Sequence, residues 1–321
     1  MKRTWLAFLV LMAIAPSVMG DATSFPSKAI KVIVPFTAGS GADIFARYFG
    51  ERLAAILGQP FVVENKPGAN GVIGTMTVKS APADGYTILL ASNSPLTVNP
   101  VTIKNLPYDP FRDLRPLSGL TRGVSVYIVA PDSRLRTVAD LVAAAKSGNT
   151  TLNIGTYSVG YQLTVDWLAN LAGVKFNNVP YKGAAPIFTD VMGNQLDVGL
   201  VHLGGVSSLL KSGKIRALAV TGDARSADFP DVPTVRESGY PDYKSYTWVS
   251  FYVRAETPDD IAAKLADALQ QALAANDAKE YVKHHPGEEL MPLAPAAMRQ
   301  YQRDEYERIR RIAAMTGFKP E

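Results

Sequence analysis

A segment rich in glycine and hydroxyl side chains carries the clearest chemical signal in the sequence. It covers residues 35–43, between an apolar run at 30–36 that predicts a buried strand and a run at 43–57 that predicts a helix. Glycines allow a tight turn, and N–H groups at a helix start attract anions. The alternative is an ordinary turn that joins a strand to a helix. The candidate anion-binding residues of this loop are Phe36, Thr37, Ala38, Gly39, Ser40, Gly41 and Asp43.

The same loop matches part of a dinucleotide-binding motif. Gly39-Ser40-Gly41 begins the pattern G-x-G-x-x-G, and Glu64 ends the next predicted strand, where an acid that binds ribose would stand. Ile44 occupies the third glycine position, so the motif is incomplete, and the phosphate-binding pattern G-x-x-x-x-G-K-S/T does not occur in the sequence. We therefore expect no cofactor.

Two further polar loops follow predicted strands. Residues 92–94 come directly after the strand predicted over 86–91, and residues 155–160 lie between a later strand and helix. The serine of the later loop stands in G-x-x-S-x-G, whereas hydrolase nucleophiles stand in G-x-S-x-G. Its two tyrosines are pocket aromatics or, equally, packing residues. The candidate ligand contacts of the two loops are Ser92, Asn93, Ser94, Thr156, Tyr157, Ser158 and Tyr161.

Three other residues are candidate ligand contacts. His202 follows a predicted strand and either touches the ligand or packs within the protein. Asp190 either orders a ligand loop or serves a helix end, and Tyr181 ends the strand predicted over 176–181. The sequence has no cysteine and no carboxylate or histidine cluster with metal-binding spacing, so we expect neither a metal site nor a cysteine nucleophile.

Composition limits the class of partner. The formal net charge is +4 over 321 residues, and the charges are scattered, without a basic block suited to a nucleic-acid backbone. No nucleic-acid partner is therefore expected. A chain of this length, with 47% hydrophobic residues, can bury the cores of two α/β lobes.

The first residues have the pattern of a secretory signal peptide. Lys2 and Arg3 precede an apolar run at 5–15, which is too short to span a bilayer, and small residues follow Pro16. We expect residues 1–22 to be the signal peptide, cleaved near residues 20–22, and the mature protein to be periplasmic. A retained N-terminal anchor is the alternative.

Strands and helices alternate along the chain, which predicts parallel sheets. Two long extended runs, near 120–130 and 240–253, predict crossings between two lobes with a hinge. The first lobe is expected to comprise 23–124 plus 243–321, and the second lobe 125–242. A ligand would lie between them at the carboxyl ends of the strands.

Two predicted helices have clear patterns. On the helix at 43–57, an apolar face recurs every four residues, and Gly58 ends the helix. Thr257 and Pro258 have the types of an N-cap and a first helical residue, and they predict the start of a second amphipathic helix. The apolar positions of the two helices are Phe45, Phe49, Leu53, Leu57, Ile261, Leu265, Leu269 and Leu273.

Several long motifs in a shared order resemble the receptors of tripartite tricarboxylate transporters, also called Bug-type extracytoplasmic solute receptors. They include PFTAGSGAD at 35–43, GQPFVVENKPGANG at 58–71 and FPDVPTV at 229–235. Shorter matches are FPSK at 25–28, DGYT at 84–87, VPYKG at 179–183 and LAVT at 218–221. The resemblance extends over essentially the whole mature chain.

This resemblance implies a type II periplasmic-binding-protein fold, a two-lobed Venus flytrap. It implies a cleft that binds a small organic carboxylate, such as a di- or tricarboxylate or an aromatic acid. It also implies delivery to a transporter with one large and one small membrane subunit. By the same resemblance, the loop at 35–43 holds one carboxylate partly through water, and the loops at Ser92 and Thr156 complete the cleft.

The chain departs from the family pattern in its loops. Ser40 stands where the family commonly has glycine, and Ser158 and Thr164 stand where a glycine and a later histidine are frequent. These departures bear on which carboxylate is bound. Two other functions use the same features: a periplasmic sensor that presents ligand to a signalling protein, and a nicotinamide-dependent enzyme. The signal peptide, the broken glycine motif and the missing catalytic set favour the receptor.

Overall fold

The structure is a computed structural model, and it describes residues 25–148 and 151–320. The predicted signal peptide at 1–22 lies outside the described residues. Within them the chain forms two β-sheets, one of six strands and one of five, with helices between the strands.

The first sheet takes strands from both ends of the described chain. Its strands β2, β1 and β3 are parallel neighbours, and β10, β4 and β11 continue the sheet in antiparallel pairs. The bounds are β1 Ile30–Val34, β2 Phe61–Asn65, β3 Thr87–Ser92, β4 Leu114–Gly123, β10 Thr247–Arg254 and β11 Glu288–Leu290.

The second sheet is built from the middle of the chain. Its strands β7, β6 and β8 are parallel, and β5 pairs with β8 and β9 in antiparallel fashion. The bounds are β5 Ser125–Val129, β6 Asn153–Thr156, β7 Asn177–Pro180, β8 Val198–His202 and β9 Arg216–Val220.

The extended run predicted at 117–130 is two strands in different sheets. Strand β4 ends at Gly123 and β5 begins at Ser125, so the chain crosses between the sheets at Val124. It returns between β9 and β10, over residues 221–246. The first predicted crossing contains the change of sheet at Val124, the second overlaps the other change only over residues 240–246, and the hinge and the lobe boundaries remain predictions.

Helices cover the faces of both sheets. A 3₁₀ turn spans Ala69–Gly71, and a π-helical turn spans Ser94–Val98. The sequence did not predict α3, α7, α9 or β11. The α-helices are α1 Gly41–Leu57, α2 Val72–Lys79, α3 Asn99–Thr102, α4 Val138–Lys146, α5 Val159–Ala172, α6 Ala184–Met192, α7 Leu203–Lys211, α8 Asp259–Ala274, α9 Asn276–Lys283 and α10 Pro295–Thr316.

The apolar face predicted for α1 packs into the core of the first sheet. Phe45, Phe49 and Leu53 are at most 2% exposed, and burial of each such side chain stabilises the fold by about 1.5–3 kcal/mol. Gly58 ends the helix with φ 71°, as predicted. These residues hold the start of α1, and the loop before it, against β1 and β2.

The predicted start of α8 was wrong by one position. Pro258, rather than Thr257, is the N-cap, because its carbonyl accepts the first helical hydrogen bond from Ala262 N–H at 2.9 Å. The predicted stripe is otherwise present: Leu265, Leu269 and Leu273 are each 1% exposed.

The last helix contacts both sheets. Met298, near the start of α10, belongs to an apolar cluster with residues of β3 and β10. Ile309 and Ile312, farther along, pack in the core of the second sheet with residues of α5. Helix α10 therefore links the two halves of the molecule in addition to the two crossings.

Candidate functional site

The candidate site begins at the carboxyl edge of the first sheet, where the parallel strands β2, β1 and β3 end. The segments after β1 and β3 lie together there, with Gly71 between two prolines. A Cβ on Gly71 would lie 3.3 Å from Pro95 and 3.4 Å from Pro35. The structure thus brings the start of the predicted loop at 35–43 close to the segment that follows the predicted loop at 92–94. We refer to residues 36–41 and 92–94 as the first loop and the second loop.

The first loop turns tightly before α1. Gly39 has φ +81°, which favours glycine, and Ser40 Oγ caps the helix by accepting the Asp43 N–H at 3.3 Å. The 17-residue helix carries about half a positive charge at its start. The loop therefore presents hydrogen-bond donors to solvent where an anion can bind. Within the described residues, no protein acceptor bonds the exposed N–H groups of Thr37, Ala38 and Gly41.

Asp43 lies beneath the first loop and is 3% exposed. Its Oδ2 accepts the Gly39 N–H at 2.9 Å and Arg47 Nε at 3.2 Å. Its Oδ1 accepts Asn65 Nδ2 at 2.9 Å. Burial opposes ionisation, but the hydrogen bonds from Arg47, Gly39 and Asn65 outweigh it and lower the pKa of Asp43. The sequence predicted a ligand contact, and the structure places this carboxylate against protein donors that hold the loop.

Asn65 is the residue of this site that sequence reasoning missed. It ends β2, and its Nδ2 donates to Phe36 O at 3.0 Å as well as to Asp43. The available signal was a polar residue at the carboxyl end of a parallel strand, inside the longest family motif. Its partners, however, depend on the pairing of β1 with β2, which the sequence does not display.

Helix α10 anchors the turn that follows the second loop. Ser92 ends β3 and accepts the Ser94 N–H at 3.3 Å, and the Asn93 carbonyl accepts the Thr97 hydroxyl at 2.9 Å. Farther along the π-helical turn, the carbonyl of Leu96 accepts Gln302 Nε2 at 3.2 Å. The predicted residues 92–94 are therefore partly exposed on a turn whose backbone is anchored in the core.

A third group of predicted residues lies at the carboxyl edge of the second sheet. Thr156, 2% exposed, donates to Asn178 Oδ1 at 2.6 Å and accepts the Tyr181 N–H at 2.8 Å through its carbonyl. The Tyr181 hydroxyl donates to Asp190 Oδ2 at 2.6 Å. Burial and the Asp190 carboxylate raise the pKa of Tyr181 to about 12, so the phenol stays protonated. Thr156, Tyr181 and Asp190 are thus one connected group.

Tyr157 and Tyr161 form a pair at the start of α5. The Tyr157 hydroxyl donates to the Tyr161 hydroxyl at 2.6 Å, and the ring centroids are 4.4 Å apart. Burial raises the pKa of Tyr157 to about 12 and that of Tyr161 well above its ordinary value. Both rings contact apolar core residues of the second sheet. Ser158 is the N-cap residue of α5 but makes no side-chain cap bond.

His202 lies where the two sheets meet. Its Nδ1 accepts the Gly204 N–H at 3.2 Å and caps α7. Its Nε2 is 3.0 Å from Glu288 Oε1 on β11, although the two are not aligned for a hydrogen bond. Gly123, at the end of β4, leaves the space that this histidine and glutamate occupy.

A packing contact joins the π-helical turn after β3 to the second sheet. Val98, at the end of the π-helical turn, packs in the same cluster as Tyr161. A Cβ on Gly160 would lie 3.5 Å from Val98 Cγ2. The segment after β3 therefore touches the start of α5. By contrast, a Cβ on Gly39 or on Gly41 would meet no atom within 4 Å, so the first loop has open space around it.

Neither a metal site nor a membrane-spanning helix is found among the described residues. No group of three or more histidine, aspartate or glutamate side chains is placed to hold a metal ion, and no described helix is long and apolar enough to cross a membrane. Two depressions of ≈ 390 Å³ and ≈ 450 Å³ lie along β9, at the edge of the second sheet and away from the loops.

Two α/β sheets joined by two crossings, with polar loops at their carboxyl edges, define a solute-binding protein. The family model described as the tripartite tricarboxylate transporter family receptor matches residues 45–318, and the chain belongs to this family. The predicted type II periplasmic-binding-protein fold is thereby confirmed, and the protein is a binding receptor, not an enzyme.

Individual relatives are similar to this chain over nearly its whole length. Protein BugT of Bordetella pertussis is 32% identical over 317 residues, which are 97% of this chain and 96% of BugT. A Rhodopseudomonas palustris protein solved with adipate has a TM-score of 0.84 and 28% identity, covering 92% of this chain and 100% of that one. MatC from Rhodopseudomonas palustris, solved with bound malate, has a TM-score of 0.78 and 27% identity. The match covers 90% of this chain and 99% of MatC.

Proposed function

We propose that the protein is a periplasmic receptor that captures a small organic carboxylate in a cleft between two lobes. It delivers this ligand to a tripartite tricarboxylate-type transporter with a large and a small membrane subunit. The observation that carries the proposal is the first loop at the start of α1, where the N–H groups of Thr37, Ala38 and Gly41 have no hydrogen-bond acceptor among the described residues. The relatives solved with adipate and malate support a dicarboxylate in particular.

The first loop suits a carboxylate for an electrostatic reason. Each hydrogen bond to a charged group contributes about 1.5–3 kcal/mol, roughly twice a neutral bond. Asp43 does not cancel this attraction, because Arg47 forms an ion pair with it at 3.0 Å. The second loop at Ser94 and the loop that follows Thr156 in the opposite sheet then provide polar contacts.

Closure of the lobes over the ligand follows from the two crossings. We propose a first lobe of 23–124 plus 243–321 and a second lobe of 125–242, with hinges near 120–130 and 240–253. A few residues at such crossings absorb the backbone rotation. Export of the protein requires the signal peptide proposed for residues 1–22, cleaved near 20–22.

A thermal-shift screen of the mature protein tests the proposal. Adipate, malate and aromatic acids are compared with their neutral amides, which have similar shape but no charge. A carboxylate at about 100 times its Kd should stabilise the protein by about 2.7 kcal/mol, and its amide should not. A screen in which only neutral sugars or cations raise the melting temperature would overturn the proposal.

A further inference from the structure

Asn65 joins the end of β2 to both ends of the first loop. Its Nδ2 donates to Phe36 O at 3.0 Å and to Asp43 Oδ1 at 2.9 Å. Its Oδ1 accepts Arg47 Nη2 at 3.2 Å. Both N–H donors and the oxygen of one carboxamide are thus used on three different partners.

Two of these partners, Phe36 and Asp43, fix the position of the first loop. Phe36 is the residue through which the chain leaves β1 and enters the loop. Asp43 holds the Gly39 N–H at 2.9 Å from the other side. The exposed donors of Thr37 and Ala38 lie between these two anchors, so their direction depends on both.

Asparagine is the side chain that fits this position. Two acceptors, a carbonyl and a carboxylate, must both receive N–H donors, while Arg47 requires an acceptor. Aspartate has no donor when ionised, and alanine has neither group. The hydrogen-bonding pattern is therefore specific to a carboxamide of this length.

We propose that Asn65 is the positioning residue of the anion site. It holds the first loop in the conformation that binds a carboxylate, and it acts through Phe36 and Asp43 without touching the ligand. This inference rests on the proposed function, since it takes the first loop as the place where the carboxylate binds.

The test is Asn65→Asp, which keeps the shape and replaces both donors with an acceptor. The new oxygen would lie 2.9 Å from Asp43 Oδ1 and 3.0 Å from Phe36 O in place of Nδ2. At pH 7 we expect the Kd for adipate or malate, whichever stabilises the wild type more, to rise about 10- to 100-fold. We also expect faster hydrogen exchange of the Gly39 amide, measured by NMR without ligand.

The pH profile separates positioning from general damage. Two charged groups face the introduced carboxyl: the Asp43 carboxylate raises its pKa, and the Arg47 guanidinium, 3.2 Å from Asn65 Oδ1, lowers it. Its protonated form, populated as the pH falls, regains one of the two lost donors. The ratio of variant to wild-type Kd should therefore fall as the pH is lowered, and this ratio cancels the titration of the ligand. Asn65→Ala should lose affinity without any recovery.

Asn177→Asp is the matched control, because Asn177 also donates its side-chain N–H to one partner, Asn153 Oδ1, at 2.7 Å. It stands at the amino end of β7, opposite the candidate site, and its Kd should match the wild type. If Asn65→Asp does not fold, Asn65→Ala and the Gly39 exchange rate decide the matter.

The outcomes are distinct. A wild type that binds no carboxylate refutes the proposed function, and Gly39 exchange then decides the role of Asn65 alone. Unchanged affinity, or a loss of affinity with unchanged Gly39 exchange, in Asn65→Asp would overturn the inference.

Discussion

Replacement of Gly123 by alanine should destabilise the junction between the two sheets. A Cβ at this position would lie 2.4 Å from His202 Nε2 and 2.6 Å from Glu288 Oε1. Ordinary contacts of a Cβ begin near 3.4 Å, so both of these side chains must move by about an ångström. Movement of His202 would break its cap on α7, where Nδ1 accepts the Gly204 N–H at 3.2 Å.

The net cost is a difference between opposing terms. Overpacking of this kind costs about 1–3 kcal/mol, and loss of one hydrogen bond costs about 0.5–1.5 kcal/mol. The lower entropy of the unfolded chain with alanine offsets about 0.4–1 kcal/mol. We therefore expect Gly123→Ala to lower the free energy of unfolding by about 1–3 kcal/mol.

Urea unfolding followed by circular dichroism measures this difference. Gly205→Ala is the control, because a Cβ at Gly205 in α7 would meet no atom within 4 Å. That variant should be as stable as the wild type or up to about 1 kcal/mol more stable. If Gly123→Ala unfolded at the same urea concentration as the wild type, the contact between His202 and Glu288 would not be as tight as the structure has it.

Two further changes test packing and electrostatics. Phe49→Ala, at a side chain that is 0% exposed, should lower the free energy of unfolding by about 3–5 kcal/mol. In the same helix, Ile56→Ala at 40% exposure should cost much less, and equal losses would contradict the assigned face of α1. Asp223 is 2.7 Å from Lys244, and its pKa is lowered to about 2 despite burial, because Lys244 and Tyr246 donate to it. Its contribution, about 1–2 kcal/mol after screening, is present above pH ~4 and lost as the pH falls toward 2. The stability difference between wild type and Asp223→Asn should therefore shrink from pH 5 to pH 3, and a constant difference would contradict the ion pair.

The sequence was sufficient for features that depend on neighbours along the chain. The first loop and α1 were predicted because glycines and an apolar stripe both lie within residues 35–58, whereas the cap that Ser40 provides was not predicted. The two long extended runs near 120–130 and 240–253 contain strand β5 and nearly all of β10, and their role as hinges stays a prediction. The family motifs then supplied the fold that these local features suggested.

Features that depend on pairing between distant strands were not predictable. Strand β11 has three residues, and it is a strand only because β4 lies beside it. Helix α7 was missed because it follows β8 directly and contains Gly204 and Gly205, which are poor helix formers. The role of Asn65 requires β1 and β2 to be neighbours, and so does its hydrogen bond to Asp43.

The central claim is that the first loop binds the carboxylate of the ligand. A crystal structure of the mature protein with the carboxylate that gives the largest thermal shift tests this claim most directly. We expect a ligand carboxylate oxygen within hydrogen-bond distance of the N–H of Ala38 or Gly41, directly or through one water. A ligand bound elsewhere, for example in the depressions along β9, with the first loop untouched, would contradict it.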